Sequence, residues 1–201
     1  MIPVAGILLA AGASTRMGRP KQLMTFEGQT LLDIVLGQVL KSELDIVLLI
    51  LGHQVKEIQE NLKTDLHHPK LRIIENRNYR DGISTSIIAG LPAVEKTHDH
   101  CMVILADMPR ITSTLINELI HQYLSSGLPL GAVSIKGRRS HPVIINSRFY
   151  DHLRQLRGDK GARALFKRYE DQVCLVVQAE DYDDTDIDTP GDFSKFKISM
   201  E

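Results

Sequence analysis

Two kinds of apolar run alternate along the chain. Unbroken runs at 3–11, 45–51 and 101–106 have the composition of strands covered on both faces, and shorter runs at 71–75, 131–135, 142–145 and 173–177 read as further strands. Between them, apolar residues recur every three or four positions, as at Leu31, Leu32, Val35, Val39 and Leu40 within 30–40, or Ile116, Leu119, Ile120 and Tyr123 within 112–125. That spacing predicts helices there, and weaker versions predict them over 55–62, 84–93, 149–156 and 162–169, with a short one after Pro190. Thr30 stands where an N-cap belongs, with Asp33 three residues on, and Ser84 and Ser86 offer caps to the helix after Gly82. Strands alternating with helices imply βαβ crossovers and a three-layer α/β/α, Rossmann-like fold around a mainly parallel, mixed central sheet. The links into 142–145 and 173–177 are less regular, which leaves one or both of those strands free to run antiparallel. In such sheets ligands bind beyond the carboxyl ends of the strands. That points to 10–21, 76–86, 106–109 and the polar loops near the C-terminus.

Composition narrows the class. The 201 residues, 43% hydrophobic and 24% charged, suit one domain over 1–201. Lys and Arg number 24 against 25 Asp and Glu, net −1, so the strongly basic footprint of a nucleic-acid binder is missing while a small anionic ligand remains open. No apolar run approaches the roughly 18–20 residues of a bilayer span, so no membrane partner is expected. The first run lacks a basic segment before it and reads as a strand rather than a signal peptide. Cys101 and Cys174 lie in apolar runs and read as buried thiols of a cytoplasmic protein. His67, His68, His98 and His100 fall in polar stretches and read as solvated.

The loop leaving the first strand carries the strongest chemical signal. Leu9, Ala10, Ala11, Gly12, Ala13 and Ser14 are small or end the strand, and Arg16, Arg19 and Lys21 follow. Small residues let backbone approach a ligand, successive free N–H groups form an anion-binding concavity, and the cations complete a polyphosphate cradle. Gly18 is followed by Arg19 and Pro20, which is not the Gly-Lys-Ser/Thr of a Walker A loop, and Gly12 lacks the partners of a dinucleotide fingerprint.

Three further stretches join it. In 76–86, Gly82 permits a turn, and a helix N-terminus there would offer amides to an anion or a base. Asp107 ends a buried strand before Met108 and Pro109, where a carboxylate faces the ligand crevice and suits Mg2+, which takes one or two protein carboxylates beside phosphates and water. The acidic run 183–192 contains Asp186 and Asp188, of which Asp188 and Thr189 also stand where the last helix needs a cap.

The string LAAGASTRMGRPKQL at 9–23 meets every fixed position of the pattern L-A-A-G-x-S-x-R-M-G-x-x-K-x-L. It resembles the signature of molybdenum cofactor cytidylyltransferases, nucleotidyltransferases of the nucleotide-diphospho-sugar transferase fold. Similar motifs follow in the family's order around Tyr79 and Gly82, at Asp107, at 138–142, at 158–163 and at 186–192. The resemblance implies transfer of CMP from CTP to the terminal phosphate of molybdopterin, with release of pyrophosphate. It implies nucleotide contacts from Leu9, Ala10, Ala11, Gly12, Ser14, Arg16, Lys21, Gly82, Ser84, Ser86 and Asp107, with Lys21, Arg16 and Asp107 catalytic. Mg2+ is expected on Asp107 and Asp188, with Asp186 the second choice, and the acceptor on His141, Pro142, Gly158, Asp159 and Arg163. Ser140 stands where the family has Gly. An apo-molybdoenzyme of the xanthine dehydrogenase kind is the implied partner. Transfer of GMP to the same pterin, transfer of CMP to a sugar or polyol phosphate, and a non-catalytic nucleotide-binding module of molybdoenzyme maturation remain the alternatives.

Overall fold

Every residue of the first apolar run, Val4–Leu9 (β1), is buried, as two covering layers require. The computed structural model describes residues 2–14, 17–179 and 182–199. After β1 come a two-stranded ribbon, Thr25–Phe26 (β2) and Gln29–Thr30 (β3), then Leu31–Lys41 (α1), Ile46–Leu51 (β4), Val55–Asn61 (α2) and Leu71–Glu75 (β5). The middle of the chain forms Ile83–Val94 (α3), His100–Leu105 (β6), Ser113–Ser126 (α4), Leu130–Ile135 (β7) and Arg138–Asn146 (β8). Tyr150–Arg154 (α5), Arg163–Arg168 (α6), Val173–Val177 (β9) and Pro190–Ile198 (α7) complete it.

The main sheet has the order β5-β4-β1-β6-β8-β7-β9. β8 pairs antiparallel with both β6 and β7, whereas β9 runs parallel to β7, so only one of the two strands left open in direction is reversed. Residues of β1 alternate between two cores, as the two-residue period of a strand demands. Val4 and Leu8 pack with α1, α2 and α4, while Ala5, Ile7 and Leu9 pack with α3, α5 and α6. A third, smaller core joins Met17, Met24 and Leu31 to Ile187, Phe193 and Phe196, and so pins α7 beside the first loop. No helix among the described residues is long and apolar enough to cross a membrane.

α1 shows what holds such an element. Thr30 accepts from the Asp33 amide and Asp33 accepts from the Thr30 amide, a complete capping box. A cap is worth about 0.5–2 kcal/mol. Burying Leu32, Val35, Leu36 and Val39, all 0% exposed, contributes about 1.5–3 kcal/mol each, so packing dominates.

Four expectations need correction. α3 starts at Ile83 with Gly82 in the cap position and no side-chain cap, so Ser84 and Ser86 lie inside the first turn, buried. The polar stretch before Pro142 is mostly strand, because β8 begins at Arg138 and pairs with β7 across a bulge at Ala132/Val133. Its backbone ladder needs no apolar side chains. The helix expected over 149–156 divides into a 3-10 turn, Ser147–Phe149, and the short α5. His98 and His100 are not solvated: His98 is 8% exposed and bonds Asp45 at 2.9 Å through Nε2, and His100 Nδ1 lies 2.9 Å from the Tyr123 hydroxyl. Cys101 is buried as expected, and burial pushes its thiol up to about 12.

Candidate active site

The carboxyl ends of β1, β4, β5 and β6 lie on one edge of the sheet, and the reversed β8 brings its amino end there too. A cleft of about 610 Å³ opens at this edge. Its floor is the first loop. Ala10 donates to the Ile50 carbonyl at 2.9 Å and His53 donates to the Ala11 carbonyl at 3.2 Å, which fixes the loop to the end of β4. Gln22, 3% exposed, completes the loop from inside. Its amide donates to the carbonyls of Ala10 (2.7 Å) and Gly12 (3.0 Å), and its Oε1 accepts from the Ser14 hydroxyl at 3.3 Å. That hydroxyl also accepts from the Lys21 amide at 3.0 Å, and Ser14 takes a positive φ of 52°. Gln22 thus occupies the Ala10 and Gly12 carbonyls from inside the loop. Sequence reading passed over Gln22; the available signal was a long amide side chain directly after the loop's lysine.

Lys21 opens the 3-10 turn Lys21–Leu23 and turns its side chain into the cleft. Nζ donates to Asp107 Oδ2 at 2.7 Å and to Asp188 Oδ1 at 2.8 Å. Burial works against the ammonium charge, but the two carboxylates outweigh it and hold the Lys21 pKa above its ordinary value. Asp107 follows β6, and its carbonyl accepts from the Ile187 amide at 2.9 Å, so the acidic run lies directly against the strand end. Thr189, not Asp188, caps α7 in a capping box with Asp192, which leaves the Asp188 carboxylate to the cleft. One oxygen each from Asp107, Asp186 and Asp188 lie within 4.8 Å of one another. Partial burial, and after it the charges of Asp107 and Asp188, push the Asp186 pKa up. Asp107 Oδ1 is buried without a hydrogen-bond partner among the described residues. Hard carboxylate oxygens this close together, one of them unsatisfied, fit a divalent cation such as Mg2+.

The opposite wall is the start of α3. Asn76 is buried and donates to Thr85 Oγ1 and Ser86 Oγ, both at 2.9 Å, tying β5 to that helix. Gly82 and Ser86 line the cleft, as does Tyr79, whose hydroxyl is 3.1 Å from His53 Nδ1. Ser84 is buried behind this wall with no partner for its hydroxyl among the described residues. Asp159 also lines the cleft and accepts from the Ile83 amide at 3.3 Å, so the 158–163 motif covers the α3 N-terminus. Leu9, Ala10, Ala11, Gly12, Lys21 and Asp107 line it too, whereas Arg16 lies outside the described residues.

A second cavity, about 640 Å³, adjoins the first, and Asp186 lines both. Arg139, His141 and Arg163 line it; Pro142 and Gly158 do not. The Arg139 guanidinium stands 4.9 Å from the Phe166 ring centre. Burial, then the neighbouring Arg163, lower the Arg139 pKa. Two guanidiniums lining one cavity favour an anionic ligand there. Burial also lowers the His141 pKa, which keeps the ring neutral near pH 7. At the rim, Asp184 accepts from Arg138 at 2.7 Å and from the Ser140 hydroxyl, linking β8 to the acidic run.

Residues 6–173 match a family described as the MobA-like NTP transferase domain. The chain is 28% identical to nicotine blue oxidoreductase of Paenarthrobacter nicotinovorans, over 92% of each chain. It is 29% identical to molybdenum cofactor cytidylyltransferase of Escherichia coli (strain K12), over 93% of this chain and 92% of that one. Among solved structures, the Mycobacterium sp. strain JC1 homologue of Mycobacterium tuberculosis Rv0371c superposes with a TM-score of 0.84 at 26% identity, over 98% and 96% of the two chains.

Proposed function

The chain belongs to the MobA-like NTP transferase domain family, and from that membership we propose that it transfers CMP from CTP to the terminal phosphate of molybdopterin, releasing pyrophosphate. The observation that carries the reading is Lys21, held between Asp107 and Asp188 in a cleft that meets an arginine-lined cavity at Asp186. One cavity suits a triphosphate and the other an anionic acceptor, with the carboxylates where the two substrates meet.

In this reading an acceptor phosphate oxygen attacks the α-phosphorus of CTP, and the bond from that phosphorus to the bridging oxygen of the β-phosphate breaks. The acceptor phosphate is already ionised near neutral pH, so no general base is required. The loop amides around Gly12 receive the triphosphate, and Arg16 grips the departing pyrophosphate. Lys21 neutralises charge growing at the α- and β-phosphates, a positioned electrostatic contribution of the kind that dominates phosphoryl chemistry. The Tyr79 and Gly82 wall orients the base. Arg139 and Arg163 hold the acceptor, with the neutral His141 beside them, and Asp159 keeps the α3 N-terminus in place. Asp107 and Asp188, with Asp186 beside them, would hold Mg2+, which when bound would supply charge neutralisation to the reacting phosphates. The product's recipient in this reading is an apo-molybdoenzyme of the xanthine dehydrogenase kind.

The test is incubation with labelled CTP or GTP, Mg2+ and molybdenum-loaded pterin. Labelled cytosine dinucleotide and pyrophosphate are the expected products. Labelled guanine dinucleotide would move the reading to GMP transfer. Product only with a sugar or polyol phosphate would move the acceptor, and nucleotide binding without pyrophosphate from any acceptor would leave a binding module. Lys21→Ala and Asp107→Ala should each lower turnover by about 10²–10³ with the melting temperature retained. A second reading, an oxidoreductase, is favoured by the 28% identity with a protein named nicotine blue oxidoreductase. Net oxidation or reduction of a substrate, without pyrophosphate release from any nucleotide, would establish it.

A further inference from the structure

The Lys21 ammonium occupies the space between the carboxylates that fit a cation. It bonds one oxygen of Asp107 and one of Asp188, at 2.7 and 2.8 Å, while Asp107 Oδ1 stays buried and unpartnered. Its backbone amide is fixed to the Ser14 hydroxyl, so the root of the side chain stays in the first loop while a four-carbon stem carries the charge. We propose that Lys21 is a resident counter-ion of the Asp107, Asp186 and Asp188 trio, and that an incoming triphosphate draws it off and opens the oxygens it holds to a divalent metal. The proposal rests on the nucleotidyltransferase reading for the identity of the anion that moves Lys21.

The argument is one of mutual exclusion. A divalent ion on Asp107 and Asp188 needs oxygen contacts of about 2.0–2.1 Å for Mg2+. An ammonium already within hydrogen-bonding distance of one oxygen of each carboxylate competes for those oxygens and repels a second cation. Without an anion, leaving would strip the Lys21 ammonium of its contacts with Asp107 and Asp188. A triphosphate seated on the loop that carries Lys21 gives the ammonium new partners at no loss of charge pairing. The trio then takes the metal that the triphosphate itself brings. Metal and nucleotide therefore bind cooperatively, and by linkage each tightens the other equally.

Mn2+ is the probe, with free ion read by electron paramagnetic resonance and without turnover. Wild type, Lys21→Met and Lys41→Met are compared, the last removing an equal charge from an exposed position at the end of α1. Mn2+ alone should bind Lys21→Met about ten-fold more tightly than either other protein, within the usual range of site-to-site coupling. In wild type, a non-hydrolysable CTP analogue should tighten Mn2+ by about ten-fold or more, and by much less in Lys21→Met. Equal or weaker Mn2+ binding by Lys21→Met would overturn the proposal. If that variant fails to fold, the wild-type arms decide: no change in Mn2+ affinity with bound analogue would overturn it too. A gain in the metal-only arm, with no analogue binding to any of the proteins, would sustain the counter-ion and overturn the nucleotide reading instead.

Discussion

Gly82 and Gly158 meet backbone to backbone: a Cβ on Gly82 would stand 2.3 Å from the Gly158 carbonyl carbon. Gly82 also holds φ 100° and ψ 170°, a region open essentially to glycine alone. The contact sets the 158–163 motif against the start of α3, where Asp159 reaches the Ile83 amide. Gly82→Ala should cost at least about 1–3 kcal/mol from the backbone alone, or roughly 2 °C or more in melting temperature. Gly12→Ala is the contrast. A Cβ there meets nothing within 4 Å, so the melting temperature should hold while, in the proposed reaction, the KM for CTP rises. A differential thermal scan of both variants beside steady-state kinetics checks the pair.

Gln22 tests whether the loop is preorganised. Gln22→Met keeps the length and adds no charge but faces the Ala10 and Gly12 carbonyls with an apolar side chain instead of two N–H donors. Lost and unsatisfied buried bonds cost about 1–3 kcal/mol each. The expected result is a lower urea midpoint and weaker CTP binding by calorimetry, although Gln22 contributes no charge to the loop. Unchanged CTP affinity would show that the loop holds its shape without the amide.

Asp33 should dominate one part of the acid limb of stability. Burial tends to raise its pKa, but the hydroxyls and amides of Thr30 and Thr64 overcome this and hold it below 3.8. A depressed carboxylate contributes its full stabilisation above the unfolded pKa of about 3.9 and loses it as pH falls through the folded value. Asp33→Asn should therefore lower stability at pH 7 by about 1–3 kcal/mol and flatten the decline below pH 4. Urea unfolding of both proteins from pH 7 to pH 2 reads the difference.

Ser140 and Arg138 share Asp184, two residues before Asp186. Ser140→Gly or Arg138→Ala leaves Asp184 one of these partners, whereas the double variant removes both. The double variant should weaken acceptor use more than the sum of the two singles, with the KM for CTP nearly unchanged. A double-mutant cycle on kcat/KM for the acceptor measures that coupling, and strict additivity would separate Asp184 from the placement of the acidic run.

Much of this architecture is present in the chain as local pattern. The buried runs at β1, β4 and β6 mark the middle of the sheet, Thr30 and Asp33 mark the start of α1, and the small residues before Lys21 mark the loop. Each depends on a few neighbouring residues, because strand and helix periods repeat within one or two turns. The polar start of β8 escaped, since a strand held by its ladder at a cavity rim carries no apolar signature. His98 and His100 escaped as well, because Asp45 and Tyr123, which pair with them, lie 53 and 23 residues away.

The sequence alone determined the alternating layers and the chemistry available at each strand end. Tertiary structure decided which of those groups meet. Lys21 finds Asp107 and Asp188 across 86 and 167 residues, and no periodicity spans such distances. What unites them is the strand order, which sets β6 beside β1, and the small core of Met17, Ile187 and Phe193, which folds the acidic run back onto the first loop. Apolar burial placed the charged groups together, and their mutual attraction then fixed the final ångströms.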